Sequence, residues 1–517
     1  MKKKVWLLAA ISAALLIAAP SLGLSEAKYG GRLVYGIEGD MEGTDPHKAV
    51  SSITINILSL AVETLVDIDK NGAIQPCLAE SWEVSPDAKE WTFHLRRGVK
   101  FHNGREFIAE DVKFNLDRVT APEAAFPIGA ELSVVESCEV MDQYTIKFTL
   151  KEPLSSFLAR LYAPNGGATF SILAPECVDE EGGVSHPIGT GPFEFVEWKN
   201  NDQVKLKRFD GYWVKWLPYL DEVVVKPLPD MTVRLTALKA GDVDATRLFS
   251  LIDAAKLAQE TQKKVVVDVS PIGLNLMVHF NLSKPPFNDR RVRQAVAQAI
   301  NKEDFLAALG HGYGETISQF VYSFTPWYTE VDSLAYDIEK AKALLAKAGY
   351  PDGIEITIQA TTAYQETIDV ATILQQQLKE IGLNLTLEVS DWATHIGKAV
   401  NGEFIMAVNS FGTIKDPDSM YPRVYTPDGG WAFITGRGYD NPQVTKLIKE
   451  ASVETDFDKR KAAYAQVAGM IVEDTPLVFI ITLPTAFGWQ SYLKGYEPAV
   501  WNLAYSGGGL PYAWLER

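Results

Sequence analysis

The seven histidines stand at positions 47, 94, 102, 186, 279, 311 and 395. None forms a His-Glu-x-x-His or a close His-x-His pair, the spacings that aim two imidazoles at one ion. The sequence therefore offers no transition-metal site, and no metal or other cofactor is expected. There is no Gly-x-Ser-x-Gly elbow to expose a serine, no phosphate loop ending in Gly-Lys-Ser/Thr and no dinucleotide fingerprint after a strand. Gly189-Thr190-Gly191 is too short for a nucleotide loop and reads as a tight turn. Neighbouring carboxylates such as Asp416 with Asp418, or Glu110 with Asp111, have the residue type for acid and base work. Among 66 acidic residues such neighbours arise by chance, and they read as solvated charges or helix caps. The chain is expected not to be an enzyme.

Period-two alternation marks strands at residues 91–95, 144–150 and 383–389, each with one solvated face. Helical spacing links Ile338, Ala341, Leu344, Leu345 and Ala348 ahead of a left-handed cap at Gly349, and Val370, Ile373, Leu374, Leu378 and Ile381 ahead of Gly382. A third helix carries Val292, Ala295, Val296, Ala299 and Ile300, after which Asn301 is placed to cap the next helix, with Asp304 near its positive end. Strands alternating with helices predict an α/β architecture. No period of 20 to 50 residues repeats and no linker-like tract appears, so several ordinary crossings between lobes are expected rather than beads on a string.

Lys2, Lys3 and Lys4 precede an apolar stretch from Val5 to Ala19, broken only by Ser12 and ended by Pro20. About fifteen residues fall short of the roughly 20 a membrane-spanning helix needs, so residues 1–27 read as a cleavable signal peptide, with Ser25-Glu26-Ala27 as the cleavage site. No cysteine stands there to carry a lipid, so a soluble, periplasmic mature protein is expected. Removing three lysines and Glu26 moves the formal charge from −17 to −19. That acidity argues against nucleic acid and anionic lipid as partners. Cys77, Cys138 and Cys177 allow one internal disulfide, and Cys138 with Cys177 is the pairing expected because both fall in one candidate subdomain. About 490 mature residues exceed what one core usually serves, so at least two lobes are expected.

From Glu63 the chain reads Glu-Thr-Leu-Val-Asp-Ile-Asp, then Leu78-Ala79-Glu80-Ser81-Trp82, then Trp91-Thr92-Phe93-His94-Leu95-Arg96-Arg97-Gly98-Val99-Lys100-Phe101-His102-Asn103-Gly104. Further on come Pro187-Ile188-Gly189-Thr190-Gly191-Pro192-Phe193, Tyr212-Trp213, Leu238-Lys239-Ala240-Gly241-Asp242-Val243-Asp244 and Pro285-Pro286-Phe287-Asn288-Asp289-Arg290-Arg291-Val292. Each block alone reads as a turn, strand or helix; their ordered co-occurrence resembles the extracellular solute-binding proteins of the peptide/nickel ABC transporter family, the oligopeptide/dipeptide-binding kind. The resemblance implies a two-lobed periplasmic-binding-protein fold of type II, α/β, with an extra subdomain in the first lobe. It implies a first lobe from residues 28–47, 188–270 and 484–517, the extra subdomain at 48–187, and a second lobe at 271–483.

A receptor of that kind closes on its ligand because the ligand adds contacts to both lobes in the closed population. Rigid aromatic faces and a few placed polar groups suit such a cleft, and Trp392, Phe411, Trp431 and Tyr439 are the aromatic candidates. Peptide-binding relatives place an aspartate three positions before an Asp-Pro pair; here Asp416-Pro417 is present and the matching position is Thr413. A buried ammonium without that carboxylate loses about 3–5 kcal/mol, which weighs against a free peptide N-terminus. Thr413, with Asn409 and Ser410, suits neutral polar ligands, and Arg437 is placed to take a carboxylate. Glu38, on the resemblance to the family's first cleft-edge strand, and Asn275, in the apolar run entering the second lobe, complete the candidates.

The expected function is the periplasmic substrate-binding component of an ABC importer. It captures a small polar solute, peptide-like, amino-acid derivative or oligosaccharide, and delivers it to the inner-membrane permease, working as a monomer. The alternatives are a secreted hydrolase and a periplasmic metal or haem carrier or chaperone; turnover and copurifying cargo distinguish them.

Overall fold

The computed structural model describes residues 27–49, 51–121, 126–162, 169–248, 251–261, 263–362, 364–412, 416–429, 431–432, 437–500 and 502–516. The signal peptide and Thr413 lie outside the described residues. Alternation does what it predicts at Glu90–Leu95, where Trp91, Phe93 and Leu95 are buried and the residues between them are more exposed. This strand joins Ala79–Val84, Thr145–Leu150 and Val135–Asp142 in a four-stranded antiparallel sheet. Phe93 meets Phe148 edge to face at 5.5 Å, and both pack against Phe157. Each such ring taken from water stabilises the fold by about 1.5–3 kcal/mol. This core, running from Leu65 to Ala174, belongs to the inserted part of the chain.

The large sheet has eleven strands. On one side of its centre lie Leu383–Ser390, Ile354–Thr361 and Met406–Phe411; on the other lie Ala245–Leu248, Arg32–Ile37, Glu222–Pro227, Gln203–Arg208 and Phe193–Lys199. Two long strands, Val265–Phe280 and Leu477–Gln490, join the halves and pair antiparallel from Val265 opposite Gln490 to His279 opposite Leu477. Their register shifts between Ser270 and Gly273, where Pro484 stands opposite Gly273. A Cβ on Gly273 would lie 1.8 Å from the Leu483 carbonyl oxygen, so only glycine allows the backbones this close. Separate cores flank the two halves, one around Leu33, Phe193 and Val223, another around Leu276, Val292 and Leu374.

Helices Ile338–Lys347 and Gln365–Lys379 appear where their spacing places them, and Gly349 and Gly382 take φ of +99° and +85°. Asn301 stands at the N-cap of Lys302–Leu309, but its side chain makes no capping bond. Its backbone N–H donates to Gln377 Oε1 and its carbonyl accepts from the same amide, so a neighbouring helix supplies the contact expected of the cap.

The expected Cys138–Cys177 disulfide is absent; all three thiols are free. The two residues serve different cores: Cys138 packs on the inserted subdomain's cluster, while Cys177 packs on that of the first lobe. Proximity in sequence placed them together, and the fold separates them.

Candidate functional site

Side chains alternate across a sheet, so residues in register on adjacent strands share a face. Where the long strands enter the second half, Asn275 stands between Phe411 on one neighbour and Thr482 on the other. Asn275 and Thr482 are only 1% and 2% exposed. The Asn275 amide donates to the Phe320 carbonyl at 3.4 Å, but neither its Oδ1 nor Thr482 Oγ1 finds a hydrogen-bond partner among the described residues. Leaving such a group unpaired costs about 1–3 kcal/mol, so two side by side mark a place that awaits a polar partner. Aromatic faces adjoin it: Phe320 meets Phe411 edge to face at 6.0 Å, and Phe411 lies against Trp431 at 6.0 Å, tilted by 32°.

The structure thus brings Asn275, Phe411 and Trp431 together and adds Thr482, which no pattern in the sequence singled out. The other candidates stand elsewhere. Trp392, at the start of a helix, is exposed, meets Tyr364 at 5.6 Å and stacks on buried His395. His395 Nε2 lies 2.9 Å from Asn409 Oδ1, and Asn409 Nδ2 lies 3.5 Å from His279 Nε2. Burial lowers the pKa of both imidazoles, that of His279 to about 3, so the chain is neutral at physiological pH. Arg437 donates to the Val400 carbonyl at the end of the helix Trp392–Asn401. Tyr439 is buried and its hydroxyl donates to Asp474. Asp416 accepts both ends of the Arg460 guanidinium at 2.6 and 2.7 Å. Burial pushes the Asp416 carboxyl up, and this bidentate pairing opposes it. Glu38 belongs to the other half of the sheet, ion-paired with Arg247, which also donates to the Val500 carbonyl.

The first half holds a cavity of about 270 Å³ at the seam with the inserted subdomain, lined among others by Glu63, Asp67, Arg96, Trp213, Asn502 and Tyr505. Glu63 is buried, and Thr190 Oγ1, Tyr212 Oη and Trp213 Nε1 all donate to its oxygens. Burial outweighs those bonds and raises its pKa to about 7. Arg96 lies 4.5 Å over the Trp213 ring and donates to the Cys77 carbonyl. No residue from 271–483 lines this space.

The inserted subdomain touches the second half directly. Arg423 donates to Glu131 at 2.7 Å, the other Glu131 oxygen takes Arg160, and the Ser156 hydroxyl donates to Asp418. The Ser155 backbone N–H donates to the Ser452 carbonyl at 2.7 Å. Sequence reasoning missed these residues because the partners lie nearly 300 positions apart, as the 292 between Glu131 and Arg423 shows.

Among the described residues no three His, Cys, Asp or Glu side chains gather to hold a metal, and no helix is long and apolar enough to cross a membrane. Residues 73–432 match the bacterial extracellular solute-binding proteins, family 5, middle part. The chain is 29% identical to the glutathione-binding protein GsiB of Pectobacterium atrosepticum over 494 residues, 92% of each chain. It is 30% identical to di/tripeptide-binding protein 1 of Pseudomonas aeruginosa over 512 residues, 92% of this chain and 93% of that one. Among solved structures it resembles the ABC transporter-associated periplasmic binding protein DppA of Helicobacter pylori in complex with the peptide STSA. That match has a TM-score of 0.74 and 29% identity, over 95% of this chain and 99% of that one. A family match over well more than half the chain, carried on a two-lobed α/β fold of the same shape, makes this chain a solute-binding protein of ABC import, a member of extracellular solute-binding family 5.

Proposed function

We propose that the protein is a periplasmic receptor that captures a small polar solute, peptide-like, an amino-acid derivative or an oligosaccharide. It closes about the crossing of its two long strands and delivers the solute to the permease. The observation that carries this is the row Phe411–Asn275–Thr482, an aromatic face beside two buried polar atoms without partners. A solute amide or hydroxyl supplies the donor that Asn275 Oδ1 needs and the partner that Thr482 Oγ1 needs, while Phe411 and Trp431 cover its apolar face. Glu38 and Thr413 complete the contacts from the facing lobe and from the turn before Asp416. Trp392, Arg437, Tyr439 and the Asp416–Arg460 pair hold the wall in place. The solute leaves unchanged, since nothing in the row is an activated nucleophile.

In this reading residues 28–47, 188–270 and 484–517 form the first lobe, 48–187 its added subdomain and 271–483 the second lobe, with the bulge at Ser270–Gly273 as the hinge. Residues 1–27 export the chain and are removed, and the receptor works as a monomer. Glutathione and di- or tripeptides, the solutes named for the relatives, head the ligands to try. A thermal-shift screen of the mature protein against these, amino-acid derivatives, oligosaccharides and divalent metals tests the reading, because a ligand of the folded form raises the melting midpoint. A shift with a polar organic solute is expected; a shift with divalent metal alone contradicts it.

A further inference from the structure

Closure brings the inserted subdomain onto the second lobe through one carboxylate shared by two arginines. Glu131 takes Arg160 from its own subdomain and Arg423 from the second lobe. Arg423 has a second engagement: its guanidinium lies 5.6 Å from the centre of the Trp431 ring, and its carbonyl accepts the Trp431 backbone N–H at 2.9 Å. Trp431 is the ring that lies on Phe411, beside Asn275. A side chain tied to both the cleft wall and the facing body can pass the state of one to the other, provided its two contacts depend on one orientation. A guanidinium meets this condition, because its plane must lie along the ring to stack and must present its fork edge to the carboxylate.

We propose that Glu131 and Arg423 are a positioning pair that couples solute on the Phe411–Trp431 wall to closure of the inserted subdomain onto the second lobe. This rests on the receptor reading above. A solute lying on Phe411 and Trp431 fixes the indole, the indole fixes the Arg423 plane, and Arg423 then takes Glu131. Nearby, Asp418 accepts from Ser156 and from Tyr464, and Asp416 pairs with Arg460. The seam therefore sets Arg160, Arg423 and Arg460 against Glu131, Asp416 and Asp418, and closure needs no counterion. Removing the Glu131 charge leaves Arg160 and Arg423 facing each other in the closed form, which favours opening. The Ser156–Asp418 bond also spans the seam but does not touch the wall, so it holds the closed form without sensing the solute.

Distances between spin labels on non-natural residues at exposed Glu80 and Lys342 report the two bodies' separation. They are to be measured with and without glutathione. The expected closed-to-open ratio falls about tenfold in Glu131→Gln and in Arg423→Met, within the range of charge pairs across an interface, and the double variant falls no further. Trp431→Leu and Glu131→Gln, which do not touch each other, combine non-additively, whereas Trp431→Leu and Ser156→Ala add. An unchanged ratio in Glu131→Gln, additivity of Trp431→Leu with Glu131→Gln, or a wild type that shows only the open distance under both conditions overturns the proposal. If glutathione does not bind, that solute is excluded, while the solute-free populations still decide the coupling.

Discussion

Two buried polar regions of this molecule are built in opposite ways. Around Glu63 three side chains donate to one carboxylate, and Arg96 is held by a ring face and a carbonyl. In the Asn275–Thr482 row two polar atoms are equally buried and have no partner. A satisfied network fixes a fold, because each member lost leaves others unpaired. An unsatisfied row costs the empty protein stability and returns it when a ligand arrives. The difference tells which of two polar interiors is scaffold and which is site, a distinction that residue type alone does not make.

The sharpest way to break the comparison is to unpair a satisfied group. Arg460→Met leaves Asp416 buried without its guanidinium and should cost about 3–5 kcal/mol in chemical denaturation. A loss under 1 kcal/mol means that this pair is not structural.

Glu63 comes next, through pH. Its folded pKa of about 7 lies above the ordinary 4.5, so the folded state binds the extra proton between those values. Stability from this group is fully present below pH 4.5 and is lost as pH rises through 7, on the order of 3 kcal/mol in all. Buried His47, His102 and His279, with pKa values lowered to about 4, 4 and 3, slope the other way, because they lose stability as pH falls below 6.5. The informative quantity is thus the difference between wild type and Glu63→Gln, measured by denaturation from pH 5 to 8. The wild type should lose ground relative to the variant over that range; parallel curves sink the assignment.

Thr482→Val has the smaller effect on stability and the more telling one on binding. It removes an unsatisfied hydroxyl at nearly constant volume, so the unliganded protein should change by no more than about 1 kcal/mol, in the stabilising direction. Solute affinity should fall about tenfold. Smallest of all, Trp392→Ala should leave affinity within about twofold, since its ring contacts are Tyr364 and His395 rather than the row. A large loss there would move the site toward the edge of the second lobe.

Much of the fold was legible because it is written in short-range pattern. Alternation at 91–95 and 383–389 and the glycine stops at 349 and 382 are local signals, and the structure carries them out. The site was legible in part. Phe411, Trp431 and Asn275 were picked as an aromatic and polar set, but Trp392 and Tyr439 looked the same in sequence and lie outside the row. Thr482 left no trace because the strand Leu477–Gln490 is buried along its whole length, so no alternation marks which residues face the cleft. The cysteine pairing failed for a related reason: sequence distance says nothing about which core each thiol joins.

The most direct test of the central claim is calorimetric titration of the mature protein with glutathione, di- and tripeptides and small oligosaccharides, repeated on Asn275→Leu. At least one of these solutes should bind one to one, and the substitution should weaken it tenfold or more while leaving the unliganded melting midpoint within a few degrees. A solute that binds wild type and Asn275→Leu equally well, or a protein that binds none of them, would contradict the placement of the solute at this row.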